Sequence, residues 1–119
     1  MIKKFLIVED DMILSMVNKK YVELLGHQVV QSVRSGLAAI EAAKKHHPDI
    51  ILMDIRIEGA MDGIEAMQEI RKFSNAEVIY LTGNSEAATK KRAEQTSMLA
   101  FCIKPISIDD LKSVLEQLK

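Results

Sequence analysis

Short apolar runs alternate with longer amphipathic segments along this chain, and that alternation limits its folding more than any other feature. The runs are Phe5-Leu6-Ile7-Val8, Val29 to Val33, Ile50 to Met53, Val78 to Leu81 and Leu99 to Ile103. They are rich in β-branched residues and mostly continuous, which suits strands covered on both faces in a parallel sheet. The segments between them are long enough to be helices. Strands alternating with helices predict an α/β fold, with a five-stranded parallel sheet, helices on both faces and right-handed crossovers.

The helical segments carry their own start and stop signals. From Asp11 to Leu25, the spacing of Ile13, Val17, Tyr21 and Leu24 predicts one apolar stripe, and Gly26 marks the end. The second segment, Gly36 to His46, follows Ser35 as an N-cap and stops before Pro48. The third, Asp62 to Phe73, carries Ile64, Met67 and Ile70. The last, Ser107 to Leu118, repeats Ile108, Leu111, Leu115 and Leu118, with Asp109 and Asp110 in its first turn. The fourth, Ser85 to Ser97, differs: SEAATKKRAEQTS offers only alanines as an apolar stripe. Such a helix buries little area and is expected to be the least firmly attached.

At 119 residues the chain matches one domain, expected over residues 1–119. Its 16 basic and 17 acidic residues are scattered, and no Lys/Arg cluster is interleaved with aromatics, so direct nucleic-acid binding has no support. A single cysteine, Cys102, rules out an intramolecular disulfide and fits a reducing compartment. The apolar run near the N-terminus is too short for a signal peptide or a membrane span. These features predict a soluble cytoplasmic protein.

Function in an open parallel sheet collects at the carboxyl ends of the strands. There the first run is followed by Glu9-Asp10-Asp11, the third by Asp54, the fourth by Thr82-Gly83 and the fifth by Lys104-Pro105. Carboxylates brought that close repel one another unless a cation or proton intervenes. A hard divalent ion such as Mg²⁺ relieves the repulsion through one or two carboxylates, waters and phosphate oxygens. Lys104 adds a compact positive charge, Thr82 a hydroxyl and Gly83 an accessible backbone N–H. An aspartate carboxylate is also a known nucleophile for making an acyl phosphate. Each element alone has an ordinary reading: an acidic triplet as a helix N-terminus, Asp54 as a turn residue, Lys-Pro as a loop. Together, in order and at strand ends, they describe phosphoryl transfer onto Asp54 by positioning and electrostatics.

These residues lie in LIVEDD, DIILMD, MDGIEAM, VIYLTG and FCIKP, and through them the chain resembles a CheY-like response-regulator receiver domain of two-component signalling along essentially its whole length. The resemblance implies a doubly wound (βα)5 fold with strand order 2-1-3-4-5. It implies Asp54 as phosphoacceptor, Asp10 as a direct Mg²⁺ ligand, Glu9 acting at the metal largely through water, and the Arg56 backbone carbonyl as a further ligand. Lys104 would contact the phosphoryl group, Thr82 would swing towards it, and Phe101 would turn inward as the aromatic switch. The Lys104-Pro105 bond would be cis, and Asp11 would start the first helix. The partners implied are a sensor histidine kinase or histidine phosphotransfer protein as donor, and a downstream protein or effector domain reading the face of the fourth helix, fifth strand and fifth helix. Neither nucleic acid nor membrane is among them. Such a domain catalyses only its own phosphorylation and dephosphorylation. Arg56 and Asn84, two residues past Asp54 and Thr82, are expected to modulate phosphoryl lifetime by steering or blocking water, with Gly83 beside them.

The chain also departs from the family pattern. The stretch DIRIEGAMDG is one residue longer than the common version and lacks its proline, with Gly59 available for the turn. Ile106 stands where many relatives have Phe. Three other readings fit these residues less well. An Asp-nucleophile phosphatase wants a second acid two residues after the nucleophile, where this chain has Arg56. A flavin-binding domain wants a Ser/Thr/Gly-rich loop after the first strand, where this chain is acidic. An inactive receiver acting only in protein interaction is opposed by the presence of every matched residue. Cys102 is expected to be a buried small hydrophobe, the histidines to be solvated, and Met61 and Met98 to line a contact surface.

Overall fold

The computed structural model describes residues 1–83 and 86–118. Its elements are β1 (Lys4–Val8), α1 (Met12–Leu24), β2 (Gln28–Val33), α2 (Gly36–His46), β3 (Ile50–Asp54), α3 (Gly63–Ile70), β4 (Glu77–Thr82), α4 (Ala87–Glu94), β5 (Ala100–Ile103) and α5 (Ile108–Leu115). The strands form one parallel sheet in the order β2-β1-β3-β4-β5, the doubly wound arrangement.

Successive strand residues point to opposite faces, so each strand contributes to two cores. Leu6, Val8, Ile51, Met53, Val78 and Tyr80 pack under α2, α3 and α4. Phe5, Ile7, Ile50, Leu52, Ile79 and Leu81 pack under α1 and α5. β1, β3 and β4 are buried almost throughout because neighbours flank them on both edges and helices cover both faces. β2 is an edge strand, and its residues are mostly exposed or half-buried. Continuous burial therefore describes the three central strands and fails at the rim.

The expected stripe of α1 is corrected. Ile13 and Leu24 are exposed at 72% and 62%, whereas Asn18 and Val22 are buried. The helix turns a mixed face to the sheet, with Val17 and Tyr21 half-buried at its margins. In α3, Ile64, Met67 and Ile70 are fully buried as the spacing predicts. The helix itself ends at Ile70, however, and Phe73 beyond it is 40% exposed. Met61 and Met98 are half-buried against the α2–α3 side of the core, so they fill space there. Cys102 is half-buried on β5, and burial raises its thiol pKa.

His27 departs from the solvated reading. Its Nδ1 accepts the Lys3 backbone N–H at 3.0 Å, and burial, followed by the N-terminal and Lys3 charges, lowers its pKa. Among the described residues no helix is long and apolar enough to cross a membrane.

Candidate functional site

Strand register brings the polar residues together. Val8 is opposite Met53, Asp54 opposite Leu81, and Thr82 opposite Ile103. Glu9 therefore emerges beside Asp54, and Lys104 beyond Thr82, all at the carboxyl edge of the sheet. The Lys104 backbone N–H donates to the Thr82 carbonyl at 2.7 Å, which continues the ladder one residue past β5. The next peptide bond, Lys104-Pro105, is cis.

Glu9 and Asp54 are each 2% exposed, an unusual degree of burial for carboxylates. Ligand oxygens of Glu9, Asp10 and Asp54 lie within 4.8 Å of one another. Lys104 Nζ sits between two of them, 3.0 Å from Asp54 Oδ2 and 3.1 Å from Glu9 Oε1. The latter contact is an ion pair without hydrogen-bond alignment. The ammonium's hydrogen bond to Glu9 runs instead to Oε2 at 3.4 Å, and buried Oε1 has no hydrogen-bond donor. Glu9 Oε2 also accepts the Asp11 backbone N–H at 3.0 Å. Burial raises the Glu9 pKa most; the Asp11 N–H opposes this, the Asp54 carboxylate reinforces it and Lys104 opposes it. Burial pulls the Lys104 ammonium pKa down, but its bonds to Asp54 and Glu9 outweigh that and leave it raised.

One lysine thus faces two buried carboxylates with a third, half-buried carboxylate beside them. An all-oxygen donor set with excess negative charge and an undonated buried oxygen fits a hard divalent cation. This cluster could hold a metal ion.

The loop after β3 is fixed at both ends. The Arg56 N–H donates to Asp54 Oδ1 at 3.3 Å, and the Gly63 N–H donates to the Ile55 carbonyl at 2.8 Å. Gly63 is required by its surroundings: a Cβ there would run into the Asp54 carbonyl oxygen and lie 2.8 Å from Met53 Cγ. Gly59 makes the turn with φ +96°, the left-handed region open to glycine. Further along, Glu58 pairs with Arg34 at 2.7 Å, and Ser35 bridges to Glu58, tying this loop to the one after β2. Asp11 caps α1 by accepting from the Ile13 and Leu14 N–H groups, in keeping with its reading as a helix start.

Thr82 is buried at the end of β4, Gly83 is exposed, and Phe101 is half-buried against the α3–α4 side of the core. Asn84 lies outside the described residues. A polar cavity of about 170 Å³ is lined by Ile55, Arg56, Asp62, Thr82, Thr89 and Arg92. A larger one of about 310 Å³ between α1 and β2 takes only Glu9 from the cluster and is otherwise lined mainly by apolar and basic side chains. The smaller cavity instead takes Ile55 and Arg56 from the loop after Asp54, and Thr82 from the end of β4.

The sequence reading missed two contributors, Asp62 and Arg92, which form an ion pair at 3.0 Å. Asp62 could have been found, because Asp62-Gly-Ile-Glu65 has capping-box spacing, and both bonds of the box are present. Nothing local in the sequence marks Arg92.

Comparison with known proteins places this arrangement. A family model described as the response regulator receiver domain matches residues 5–116. The chain is similar to the transcriptional regulatory protein PdtaR of Mycobacterium tuberculosis, at 32% identity over 114 residues, covering 96% of this chain and 55% of PdtaR. It is also similar to the polar-differentiation response regulator DivK of Brucella ovis, at 32% identity over 122 residues, covering 97% of this chain and 98% of DivK. Among solved structures, the signal receiver domain of a modulated diguanylate cyclase from Desulfovibrio desulfuricans G20 superposes with a TM-score of 0.90 at 29% identity, covering 98% of this chain and 93% of the other. The chain thus spans about half the length of PdtaR and nearly all of DivK.

Proposed function

The chain belongs to the response regulator receiver domain family, and on that premise we propose that residues 1–119 form a receiver that accepts a phosphoryl group on Asp54 and signals through a change in α4, β5 and α5. Receiver domains of response regulators are signalling domains. The observation that carries the finer reading is the buried Glu9–Asp54 pair bridged by Lys104, with Asp10 beside it.

The metal ion proposed for the cluster is Mg²⁺, held by Glu9, Asp10, Asp54 and the Arg56 carbonyl. Bound there, it would supply charge neutralisation to the carboxylates and the phosphoryl oxygens. The residues of the chain account for the rest. Asp54 is fixed by Lys104 and by the Arg56 N–H, so its carboxylate is oriented before a donor arrives. Its attack forms an O–P bond as the P–N bond to the donor imidazole breaks. Lys104 stays protonated and offsets charge on the phosphoryl oxygens. Thr82, at the end of the neighbouring strand, would give its hydroxyl to the product, and Phe101 would follow it inward. Arg56, exposed two residues past Asp54, and Asn84 would set water access and phosphoryl lifetime. The donor is a phosphohistidine on a sensor kinase or phosphotransfer protein, and the reader is a downstream protein or effector domain.

The test is intact mass after incubation with a small acyl-phosphate donor, with and without Mg²⁺, beside Asp54→Asn. One added phosphoryl group that requires both Mg²⁺ and Asp54 is the expected result. No added mass on the folded wild-type protein under rapid sampling would leave an interaction module that does not accept phosphate.

A further inference from the structure

α4 is held by unusually few groups. Only Ala93 of its eight residues is buried, and among the described residues no side chain caps its N-terminus. Among the described residues, Tyr80 and Arg71 reach Thr96, just past its end: Tyr80 and Thr96 share a hydroxyl hydrogen bond of 2.6 Å, and Arg71 Nε donates to the Thr96 carbonyl at 2.8 Å. Burial pushes the Tyr80 phenol up to about 12, so that contact stays neutral across the ordinary pH range.

Another polar contact runs from α4 towards the site. Arg92 of α4 meets Asp62 Oδ2 at 3.0 Å, and Asp62 is the N-cap of α3, directly before the Gly63 that packs on the Asp54 backbone. Arg92 and Asp62 line the same polar cavity as Thr82 and Arg56.

We propose that the Arg92–Asp62 ion pair is a phosphorylation-sensitive latch, holding α4 against the α3 N-cap in the unmodified protein and opening when Asp54 carries a phosphoryl group. The second half rests on the function proposed above. Asp62 divides its work between two oxygens: Oδ1 accepts the Glu65 N–H at 2.8 Å while Oδ2 takes Arg92. Arg92 can therefore leave without undoing the capping box, and α3 stays in place while α4 is freed. The pair is partly solvated, with side-chain exposures of 45% and 29%, so it is weak enough to exchange and open to screening by salt. An aspartyl phosphate would add negative charge and acceptor oxygens at Asp54, whose chain neighbours Ile55 and Arg56 line this cavity, and these would compete for the guanidinium and draw α4 out of its docked position on the α3 N-cap.

Amide exchange over α4, read by mass spectrometry on the whole chain, tests both halves. In the unmodified protein at low salt, Arg92→Gln is expected to speed α4 exchange several-fold, leave α3 exchange unchanged, and be partly rescued by Arg92→Lys. Raising salt from about 0.01 M to about 1 M, which shortens the screening length from roughly 30 to roughly 3 Å, is expected to speed α4 exchange in the wild type and much less in Arg92→Gln. Adding Mg²⁺ and the acyl-phosphate donor is then expected to speed α4 exchange by a larger factor in the wild type than in Arg92→Gln. Equal α4 exchange in the two unmodified proteins would overturn the latch. Equal fold responses to the donor would overturn its sensitivity to phosphate. Failure of Asp54 to gain phosphoryl mass would defeat the proposed function and the phosphate half together, while the low-salt comparison still decides whether the pair holds α4.

Discussion

α3 and α4 are both eight residues long, follow neighbouring strands and lie on the same face of the sheet, yet they are attached in opposite ways. α3 buries five of its eight residues, closes its N-terminus with a complete capping box, and begins with a glycine set against the backbone of Asp54. Among the described residues, α4 buries one residue, has no side-chain cap, and docks through polar groups at its far end and a partly solvated ion pair. Fully burying an Ile or Met side chain contributes roughly 1.5–3 kcal/mol, so Ile64, Met67 and Ile70 anchor α3 far more strongly than Ala93 can anchor α4. Under the proposed function, the difference would separate two jobs that conflict in one element. Holding a carboxylate in reacting geometry needs a rigid support, and reporting its chemical state needs a part that moves at little cost.

The largest effect should come from striking the rigid side at its closest approach. Gly63→Ala would push a methyl into the Asp54 carbonyl, Met53 and the Ile55 backbone, where backbone cannot yield. The expected loss is about 3 kcal/mol or more, read as a lower denaturant midpoint, because overpacking against fixed atoms costs at least the upper part of the usual range. A variant as stable as the wild type would mean that α3 is not seated as tightly as the contrast requires.

Met67→Ala comes next. Met67 is fully buried under α3, and truncation there is expected to cost about 2–5 kcal/mol in chemical denaturation. The contrast would fail if this loss were confined to α3 exchange with no change in global stability.

A matched pair of exposed sites gives the smallest and sharpest comparison. Gln68 on α3 and Lys91 on α4 are both exposed, and glycine at either costs roughly 0.5–1 kcal/mol of helix propensity. Gln68→Gly is expected to lower the global midpoint by that amount, because α3 unfolds with the whole. Lys91→Gly should leave the midpoint nearly unchanged and appear as faster amide exchange in α4 alone. Equal global losses would show that the two helices unfold together.

Much of this contrast was readable from residue order. The isoleucine and methionine spacing of α3 and the alanine-only stripe of α4 are properties of the segments themselves, and burial follows them. The same holds for the site: Glu9, Asp10, Asp54 and Lys104 fall directly at strand ends, so once the strands were placed the parallel sheet brought them together. Features decided by distant partners were harder to read. Ile13 and Leu24 share a stripe with Val17 and Tyr21, but which side of α1 meets the sheet depends on how the helix rolls, and Asn18 and Val22 took the buried place. β2 reads as apolar and lies on the rim, because no local signal states strand order. Arg92 is one of several basic residues in a polar helix, and only its partner 30 residues earlier distinguishes it. Short-range pattern sets elements and core; long-range polar pairs require the assembled fold.

The central claim is that phosphoryl chemistry at Asp54 is supported by a fixed α3 and reported by a loosely held α4. It is tested most directly by segment-resolved amide exchange on the intact protein before and after treatment with Mg²⁺ and an acyl-phosphate donor, with Asp54→Asn carried through the same treatment. The account predicts changed exchange in α4 and β5, unchanged exchange in α3, and no response in Asp54→Asn. A response centred on α3, or one that persists in Asp54→Asn, would contradict it.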